Sequence, residues 1–210
     1  MKKILCYGDS NTFGFNPKDG SRFDENSRWS GILKKNLENE FEVIEEGLNN
    51  RTGFVDNPDG FNHSGLRYFP ELLEKFTDVE ILILALGTND LQFRYNIDSQ
   101  AIEQGLLELI NLAIEKGIVT ILIPSVVLDS RVLRGPFSYQ FDETSTIKSH
   151  QMSKIYKRIA QNTKSFYFDF NSFVETSDFD GLHYDEKAHK IIAQKLSEYI
   201  KNSLPQRRLP

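Results

Sequence analysis

The sequence predicts a three-layer α/β sandwich, in which a five-stranded, mostly parallel sheet is covered by helices on both faces. Short apolar runs bounded by turn residues alternate along the chain with segments whose apolar residues recur at helical spacing. Parallel neighbours in a sheet need crossover connections, and these are usually helices. The chain has 210 residues, which suits one domain of this kind.

Five runs have the length and residue types of strands. In chain order they are Lys3–Tyr7, Phe41–Glu45, Val79–Leu86, Gly117–Pro124 and Ser165–Phe170. Three segments show the spacing of an amphipathic helix. Their apolar residues are Trp29, Ile32, Leu33 and Leu37, then Ile102, Leu106, Leu109, Ile110 and Ala113, then Ala188, Ile191, Ile192, Leu196 and Ile200. Open parallel sheets bind ligands beyond the carboxyl ends of their strands, which is where we look for chemistry.

The composition is that of an ordinary globular protein, with 39% hydrophobic and 26% charged residues. A formal net charge of −5 argues against nucleic acid and anionic membranes as partners and favours a small-molecule substrate. The first apolar run is too short for a signal peptide or a membrane span, so the expected location is cytoplasmic. Cys6 is the single cysteine, which argues against a disulfide framework and a cysteine-based metal site.

Residues 125–145 form a long irregular connection with Phe137, Tyr139 and Phe141 at alternate positions. Long loops in compact domains are commonly lids, binding loops or oligomer contacts. The alternation is equally typical of a short strand packed on the core, so both interpretations remain open. We assign residues 1–203 to a single domain, and we expect the tail 204–210 to be frayed or docked on a neighbouring subunit of a homo-oligomer.

Polar residues suited to acyl transfer follow the first and third predicted strands. Ser10 follows the first strand in Gly8-Asp9-Ser10, which on its own is an ordinary turn or helix cap. Thr12 stands where the G-x-S-x-G elbow of α/β-hydrolases has its second glycine, so that motif is not matched. Asn89 follows the third strand, where a side-chain amide can donate to a developing oxyanion, although a plain turn also explains it.

The segment Asp180–His183 is more informative. A carboxylate three residues before a histidine can accept a hydrogen bond from Nδ1 through a turn, and the other ring nitrogen is then free to act as a base. A serine hydroxyl is a poor nucleophile without such an imidazole. Of the other three histidines, His63 and His150 lack a carboxylate in this register and His189 lies in the last predicted helix, so we expect all three to be structural or solvated.

These segments, in this order on an α/β pattern, resemble the SGNH hydrolases, also called GDSL esterases. The resemblance covers nearly the whole chain. Within the family, the sequence is most similar to the bacterial arylesterase and acyltransferase branch, and the residues that carry this likeness are Arg28-Trp29, Glu45–Leu48, Arg51-Thr52 and Leu86–Asp90. The resemblance implies a flavodoxin-like fold.

The resemblance also implies a catalytic triad of Ser10, His183 and Asp180 and no cofactor. It implies an oxyanion hole made by the backbone N–H of Ser10, a backbone N–H after the second strand and the side chain of Asn89. Aligning Arg51-Thr52 with the family pattern puts Asn50 where glycine is usual, and asparagine tolerates left-handed backbone geometry. Asn50 is therefore the first choice for the second N–H, and Gly47 is the second choice.

Three residues near the nucleophile are expected to contact the substrate: Asn11, Phe13 and Phe15. Asn11 stands where the family name carries leucine, and the two aromatic rings are close enough in sequence to wall the entrance beside Ser10. Core packing of both rings is an equal alternative. We therefore predict a serine esterase that hydrolyses short-chain carboxylic esters through an acyl-enzyme, with acyl transfer to alcohols as a further activity.

Three alternatives remain open at this point. One is a carbohydrate O-deacetylase with the same mechanism. Another is a metal-dependent phosphoesterase that uses Asp9, Asp90, Asp180 and His183 as ligands, which leaves Ser10 without a role. The third is a non-catalytic binding module, because a fold alone does not establish turnover. The sequence does not specify the natural ester, the acyl length or the oligomeric state.

Overall fold

The computed structural model describes residues 1–204; most of the predicted tail, residues 205–210, lies outside them. The described chain contains one five-stranded sheet in the order β2-β1-β3-β4-β5, and each neighbouring pair is parallel. The predicted α/β fold class is therefore confirmed. The strands are β1 (Lys2–Gly8), β2 (Phe41–Gly47), β3 (Val79–Ala85), β4 (Val119–Leu122) and β5 (Phe166–Tyr167).

The last two strands are shorter than the sequence predicts. Gly117 has a φ of +72°, a left-handed conformation in which it closes the preceding helix, so β4 begins only at Val119. At the edge strand β5, the pairing with β4 continues for one more bond, because the N–H of Phe168 donates to Leu122 O at 3.0 Å. The carboxylate of Asp169 then starts a helical turn by accepting the N–H of Asn171, which ends the strand-like course of the chain.

Six α-helices accompany the strands in the described chain. They are α1 (Ser10–Phe13), α2 (Trp29–Leu37), α3 (Gly65–Lys75), α4 (Ser99–Glu115), α5 (Glu143–Thr163) and α6 (Glu186–Ser203). The apolar periodicity predicted α2, α4 and α6 and missed the one-turn helix α1 as well as α3 and α5. Pro70 lies inside α3 and lowers its helix propensity. Much of α5 is polar, so its apolar stripe is weak in the sequence.

A capping box starts α5 and shortens the predicted irregular connection. The Asp142 carboxylate accepts the N–H of Ser145 at 2.9 Å, and Ser145 Oγ accepts the N–H of Asp142 at 3.3 Å. The irregular connection therefore ends at residue 142. It contains a helical turn at Ser130–Leu133 and no strand. Of its three alternating aromatic residues, Phe141 is buried.

Helices cover both faces of the sheet. On one side α2 packs on α6, and on the other α4 packs on both α3 and α5. The central strands β1 and β3 are buried on both faces, as is usual for a parallel sheet. No helix within residues 1–204 has the length and apolar character needed to cross a membrane.

The ends of β1 and β2 lie directly beneath α1. Gly8 and Gly47 are opposite each other in the sheet, and Gly8 is also opposite Ala85 on β3. A Cβ on Gly47 would lie 2.2 Å from the backbone nitrogen of Phe13, and one on Gly8 would lie 2.7 Å from Ala85 O. Neither position has room for a side chain. The absence of side chains at these two positions lets α1, which begins with Ser10, lie at the carboxyl edge of the sheet.

Candidate active site

Three of the predicted residues form one chain of hydrogen bonds. The distance from Ser10 Oγ to His183 Nε2 is 2.9 Å, and the distance from His183 Nδ1 to Asp180 Oδ2 is 2.7 Å. All three side chains are buried. Because a carboxylate can only accept, Nδ1 carries a proton and Nε2 is left to accept the proton of the serine hydroxyl. This arrangement can raise the nucleophilicity of a serine.

The Asp180 carboxylate is held by four donors. Besides His183 Nδ1, it accepts the backbone N–H groups of Leu182 and His183, both at 3.0 Å, and the hydroxyl of Ser177 at 3.1 Å. Burial alone opposes ionisation, but the hydrogen bond from His183 and the backbone N–H donors hold the pKa of Asp180 below its ordinary value. The carboxylate is therefore ionised at neutral pH and orients the imidazole ring.

Two aromatic rings cover the imidazole. The ring centroid of Phe15 lies 4.3 Å from that of His183, and the ring of Phe137 lies 5.1 Å from it. The two phenyl rings also contact each other, with their centroids 6.0 Å apart. They exclude water from one side of the imidazole and form an apolar wall beside Ser10.

A cavity of about 390 Å³ opens over these groups. Its aromatic wall contains Phe15, Phe137 and Tyr139, and its other lining residues include amide and charged groups. The lining residues are Ser10, Phe15, Asn49, Asn50, Asp59, Asn89, Arg94, Phe137, Tyr139, Gln140, Leu182 and His183. The volume is at the lower end of the range for small-molecule sites, roughly 300 to 1,000 Å³.

Each predicted oxyanion-hole residue lines this cavity. Asn50 has a φ of +59°, the left-handed conformation that the sequence reasoning allowed for asparagine. Asn89 uses one N–H of its side-chain amide to bind Arg51 O at 3.0 Å, and the second N–H remains for a ligand. Gly47, the second choice, pairs with Gly8 beneath α1 and does not line the cavity, so it is not in a position to serve.

Two buried charges hold the loop after β2, which carries Asn50. The Asp90 carboxylate accepts the N–H groups of Gly53, Phe54 and Val55 at 2.5, 2.7 and 3.1 Å. Burial raises the pKa of Asp90 to about 6, against the opposite effect of these N–H donors. The Arg51 guanidinium donates to three backbone carbonyls, those of Gly8 at 3.1 Å, Asn62 at 2.9 Å and Glu46 at 2.5 Å.

Asn11 and Phe13 do not lie where the sequence analysis expected them. The Asn11 amide donates to Leu182 O at 3.3 Å and accepts the N–H of Tyr184 at 3.0 Å, so it ties α1 to the loop that carries His183. The Phe13 ring packs against the Arg22 guanidinium, 4.7 Å from the ring centroid. Neither residue lines the cavity, whereas Phe15 does.

Several lining residues were not predicted as site residues from the sequence. Phe137 and Tyr139 were noticed through their alternation, and in the structure they line the cavity from a loop rather than from a strand. Asp59, Arg94 and Gln140 lie in turns without periodicity, so no sequence signal marked them. Asn49 precedes Asn50 directly and could have been inferred from that position.

The four residues proposed as metal ligands do not converge. The Asp9 carboxylate caps α1 by accepting the N–H of Asn11 at 3.0 Å, and Asp90 and Asp180 bind the backbone groups described above. Within residues 1–204, no group of three His, Cys, Asp or Glu side chains is placed to hold a metal ion. The phosphoesterase alternative therefore lacks a ligand set in this part of the chain.

His189 lies inside the core, in agreement with its expected structural role. Its Nδ1 accepts the N–H of Trp29 at 3.3 Å. Burial lowers the pKa of His189 to about 3, so the ring is neutral at physiological pH.

Solved structures similar to this one include two kinds of esterase. An aryl esterase of M. smegmatis has 28% sequence identity and a TM-score of 0.87, covering 96% of this chain and 99% of that chain. A carbohydrate acetylesterase family member from Sinorhizobium meliloti has 25% identity and a TM-score of 0.86, covering 96% of this chain and 98% of that one. Comparison with curated proteins gave no match.

A family profile covers most of the sequence. The profile of the GDSL-like lipase/acylhydrolase family matches residues 6–191, which include both the nucleophile segment and the segment with Asp180 and His183. The match agrees with the solved structures and with the resemblance read from the sequence. The chain belongs to the GDSL-like lipase/acylhydrolase family.

Proposed function

We propose that the protein is a serine esterase that hydrolyses short-chain carboxylic esters, with Ser10, His183 and Asp180 as its catalytic triad. The observation that carries the proposal is the continuous hydrogen-bond chain from Ser10 through His183 to Asp180, which opens on the cavity. Membership of an acylhydrolase family and the esterase neighbours support the reaction class. Cytoplasmic location and homo-oligomer formation stay predictions.

The reaction proceeds by acyl transfer through the enzyme. Ser10 Oγ attacks the ester carbonyl carbon while His183 Nε2 takes the hydroxyl proton, and ionised Asp180 stabilises the resulting imidazolium. The tetrahedral intermediate collapses when its C–O bond to the alcohol breaks and His183 returns the proton to the leaving alcohol. Water then attacks the acyl-enzyme with the same base, which releases the acid and restores Ser10.

The negative oxygen of the tetrahedral intermediate requires N–H donors. Ser10, Asn50 and Asn89 line the cavity. The proposed donors are the backbone N–H groups of Ser10 and Asn50 and the second side-chain N–H of Asn89. Removing one such donor costs roughly 3 to 4 kcal/mol of transition-state stabilisation in another serine hydrolase. The donors act on kcat because the full charge exists only in the transition state.

A sugar ester is a second candidate substrate, with the same mechanism. Besides its aromatic rings, the cavity is lined by Asn49, Asp59 and Gln140, whose side chains can hydrogen-bond the hydroxyl groups of a sugar. One structural neighbour is described as a carbohydrate acetylesterase family member. Comparing an acetylated sugar with an aryl acetate as substrates separates the two specificities without affecting the proposed chemistry.

Ser10→Ala removes the nucleophile. We expect hydrolysis of p-nitrophenyl acetate to fall by about 10³-fold or more, since loss of a triad serine leaves only residual catalysis. Labelling by a fluorophosphonate probe disappears at the same time. Ser130→Ala, which removes an exposed hydroxyl, is the control and keeps wild-type activity. More than a tenth of wild-type activity in Ser10→Ala would show the assignment to be wrong.

Asp180→Asn tests the carboxylate and the pH dependence together. The lowered pKa of Asp180 keeps it ionised from neutral pH down to below the ordinary carboxyl range, so protonation of this carboxylate does not limit kcat/KM until the pH falls below that range. An asparagine at this position favours the wrong imidazole tautomer, and kcat falls by about 10³- to 10⁴-fold. Asp178→Asn, with an exposed side chain in the same loop, leaves the profile unchanged. An unchanged kcat in Asp180→Asn contradicts the proposed triad.

Asn89→Ala and Asn50→Gly distinguish a side-chain donor from a backbone donor. Asn89→Ala lowers kcat by about 10²- to 10³-fold with little change in KM, because the amide N–H is lost. Asn50→Gly keeps the backbone N–H and adopts the positive φ without strain, so its kcat stays within about ten-fold of wild type. Equal losses in steady-state assays of the two variants would assign a direct role to the Asn50 side chain.

The aromatic wall leads us to expect acyl transfer to apolar alcohols. The test supplies vinyl acetate and benzyl alcohol in water and measures benzyl acetate against acetate. Phe15→Ala removes roughly 40 Å² of apolar contact, worth about 1 kcal/mol at 25 cal/mol per Å², and lowers the ratio about five-fold. Phe179→Ala removes an exposed ring that does not line the cavity and is the control. Acetate as the sole product of the wild type would refute transfer and leave hydrolysis intact.

A further inference from the structure

Gln92 connects the two loops that carry the proposed oxyanion-hole donors. Its Nε2 donates to Asn50 Oδ1 and to Asn89 Oδ1, each at 3.0 Å. Asn50 lies in the loop after β2 and Asn89 follows β3, so a single amide group bridges two separate segments. The Gln92 side chain is buried, with 1% exposure, and does not line the cavity. It therefore cannot touch the substrate directly.

The bond from Gln92 decides which end of the Asn89 amide faces the substrate. An asparagine side chain carries an acceptor oxygen and a donor nitrogen of similar shape, and only the nitrogen can stabilise an oxyanion. Gln92 binds the oxygen, while Arg51 O binds one N–H of the nitrogen. Both bonds favour the same orientation, in which the second N–H is free for the ligand.

Asn50 is constrained from several directions. The Asn57 amide donates to Asn50 O at 2.6 Å, the Asn50 amide donates to the Asp59 carboxylate, and Gln92 binds Asn50 Oδ1. These contacts support the positive φ through which Asn50 presents its backbone N–H. Of these partners, Gln92 is the one that also binds Asn89, so it sets the relation between the two donors.

The remaining polar atom of Gln92 points to a functional reason for this side chain. Its Oε1 is buried and has no hydrogen-bond partner among the described residues. A buried acceptor without a partner costs stability, so folding alone gives little reason for an amide here. The turn that holds Gln92 is itself anchored, because Ser145 Oγ donates to Leu91 O at 2.6 Å. The amide is thus held firmly at a polar bridge between two catalytic loops.

We propose that Gln92 is a positioning residue that holds the Asn50 and Asn89 donors at the spacing and orientation needed by the transition state. The inference rests on the proposed serine-esterase function. Because the oxyanion develops only in the transition state, loss of this positioning lowers kcat and leaves KM nearly unchanged. The role is distinct from that of the donors, since Gln92 acts only through Asn50 and Asn89.

Two substitutions of similar size test the bridge. Gln92→Met keeps the volume and removes both N–H groups, while Gln92→Glu keeps the shape and turns a carboxylate oxygen toward two acceptors. Each lowers kcat by about 10- to 100-fold with KM within about three-fold, since misplacing a catalytic group has effects of this order. Gln194→Met, on the exposed face of α6, is the matched control and keeps wild-type kinetics. Thermal unfolding by circular dichroism establishes that each variant is folded at the assay temperature.

A double-mutant cycle separates positioning from a general structural effect. If Gln92 acts through Asn89, the Gln92→Met substitution costs less in an Asn89→Ala background than in the wild type. Losses that multiply in full, or a wild-type kcat in folded Gln92→Met, would overturn the proposal. If one of these two results is found and Ser10→Ala is inactive, the esterase assignment stands and only the role of Gln92 is refuted. An active Ser10→Ala refutes the esterase assignment itself, whatever Gln92 does.

Discussion

The close approach of α1 to the ends of β1 and β2 is the constraint on which the rest of the site depends. Gly8 and Gly47 lie opposite each other and have no room for a Cβ, so the backbone of the short helix rests on the sheet itself. Trp29 Nε1 donates to Asn11 O at 2.9 Å and holds the helix in place. Ser10 is thereby fixed at the edge of the sheet where the loops after the neighbouring strands converge.

Buried charges supply the hydrogen bonds that these irregular loops cannot make within regular structure. Asp90 binds three backbone N–H groups of the loop after β2, Arg51 binds carbonyls of β1, β2 and the same loop, and Asp180 binds the turn that carries His183. Each charge is taken from water at a cost, which these bonds offset. The loops gain rigidity at the positions where the proposed catalytic groups must keep their geometry.

The proposed mechanism divides between two hydrogen-bond networks that meet at the cavity. One runs from Ser10 through His183 to Asp180 and moves a proton. The other links Asn50 and Asn89 through Gln92 and presents N–H donors to the developing charge. Phe15 and Phe137 cover the imidazole, and the exclusion of water strengthens the electrostatic interactions of both networks. The donors need no reorganisation when the charge forms, which is the physical basis of their proposed effect.

The sequence by itself determined the fold class, the family and the segments that meet at the sheet edge. Strand periodicity placed Ser10 and Asn89 at strand ends, and the three-residue spacing marked the Asp180–His183 turn, because these are local properties of the chain. Their catalytic roles were implied by the family resemblance of the three segments together. The positions of Gln92 and Phe137 at the site emerged only from the tertiary structure, because their contacts depend on how distant loops pack together. The same reason explains why Asn11 and Phe13 were wrongly expected to contact the substrate. The direction of a side chain on a one-turn helix is set by what packs around that helix, and no local sequence pattern records it.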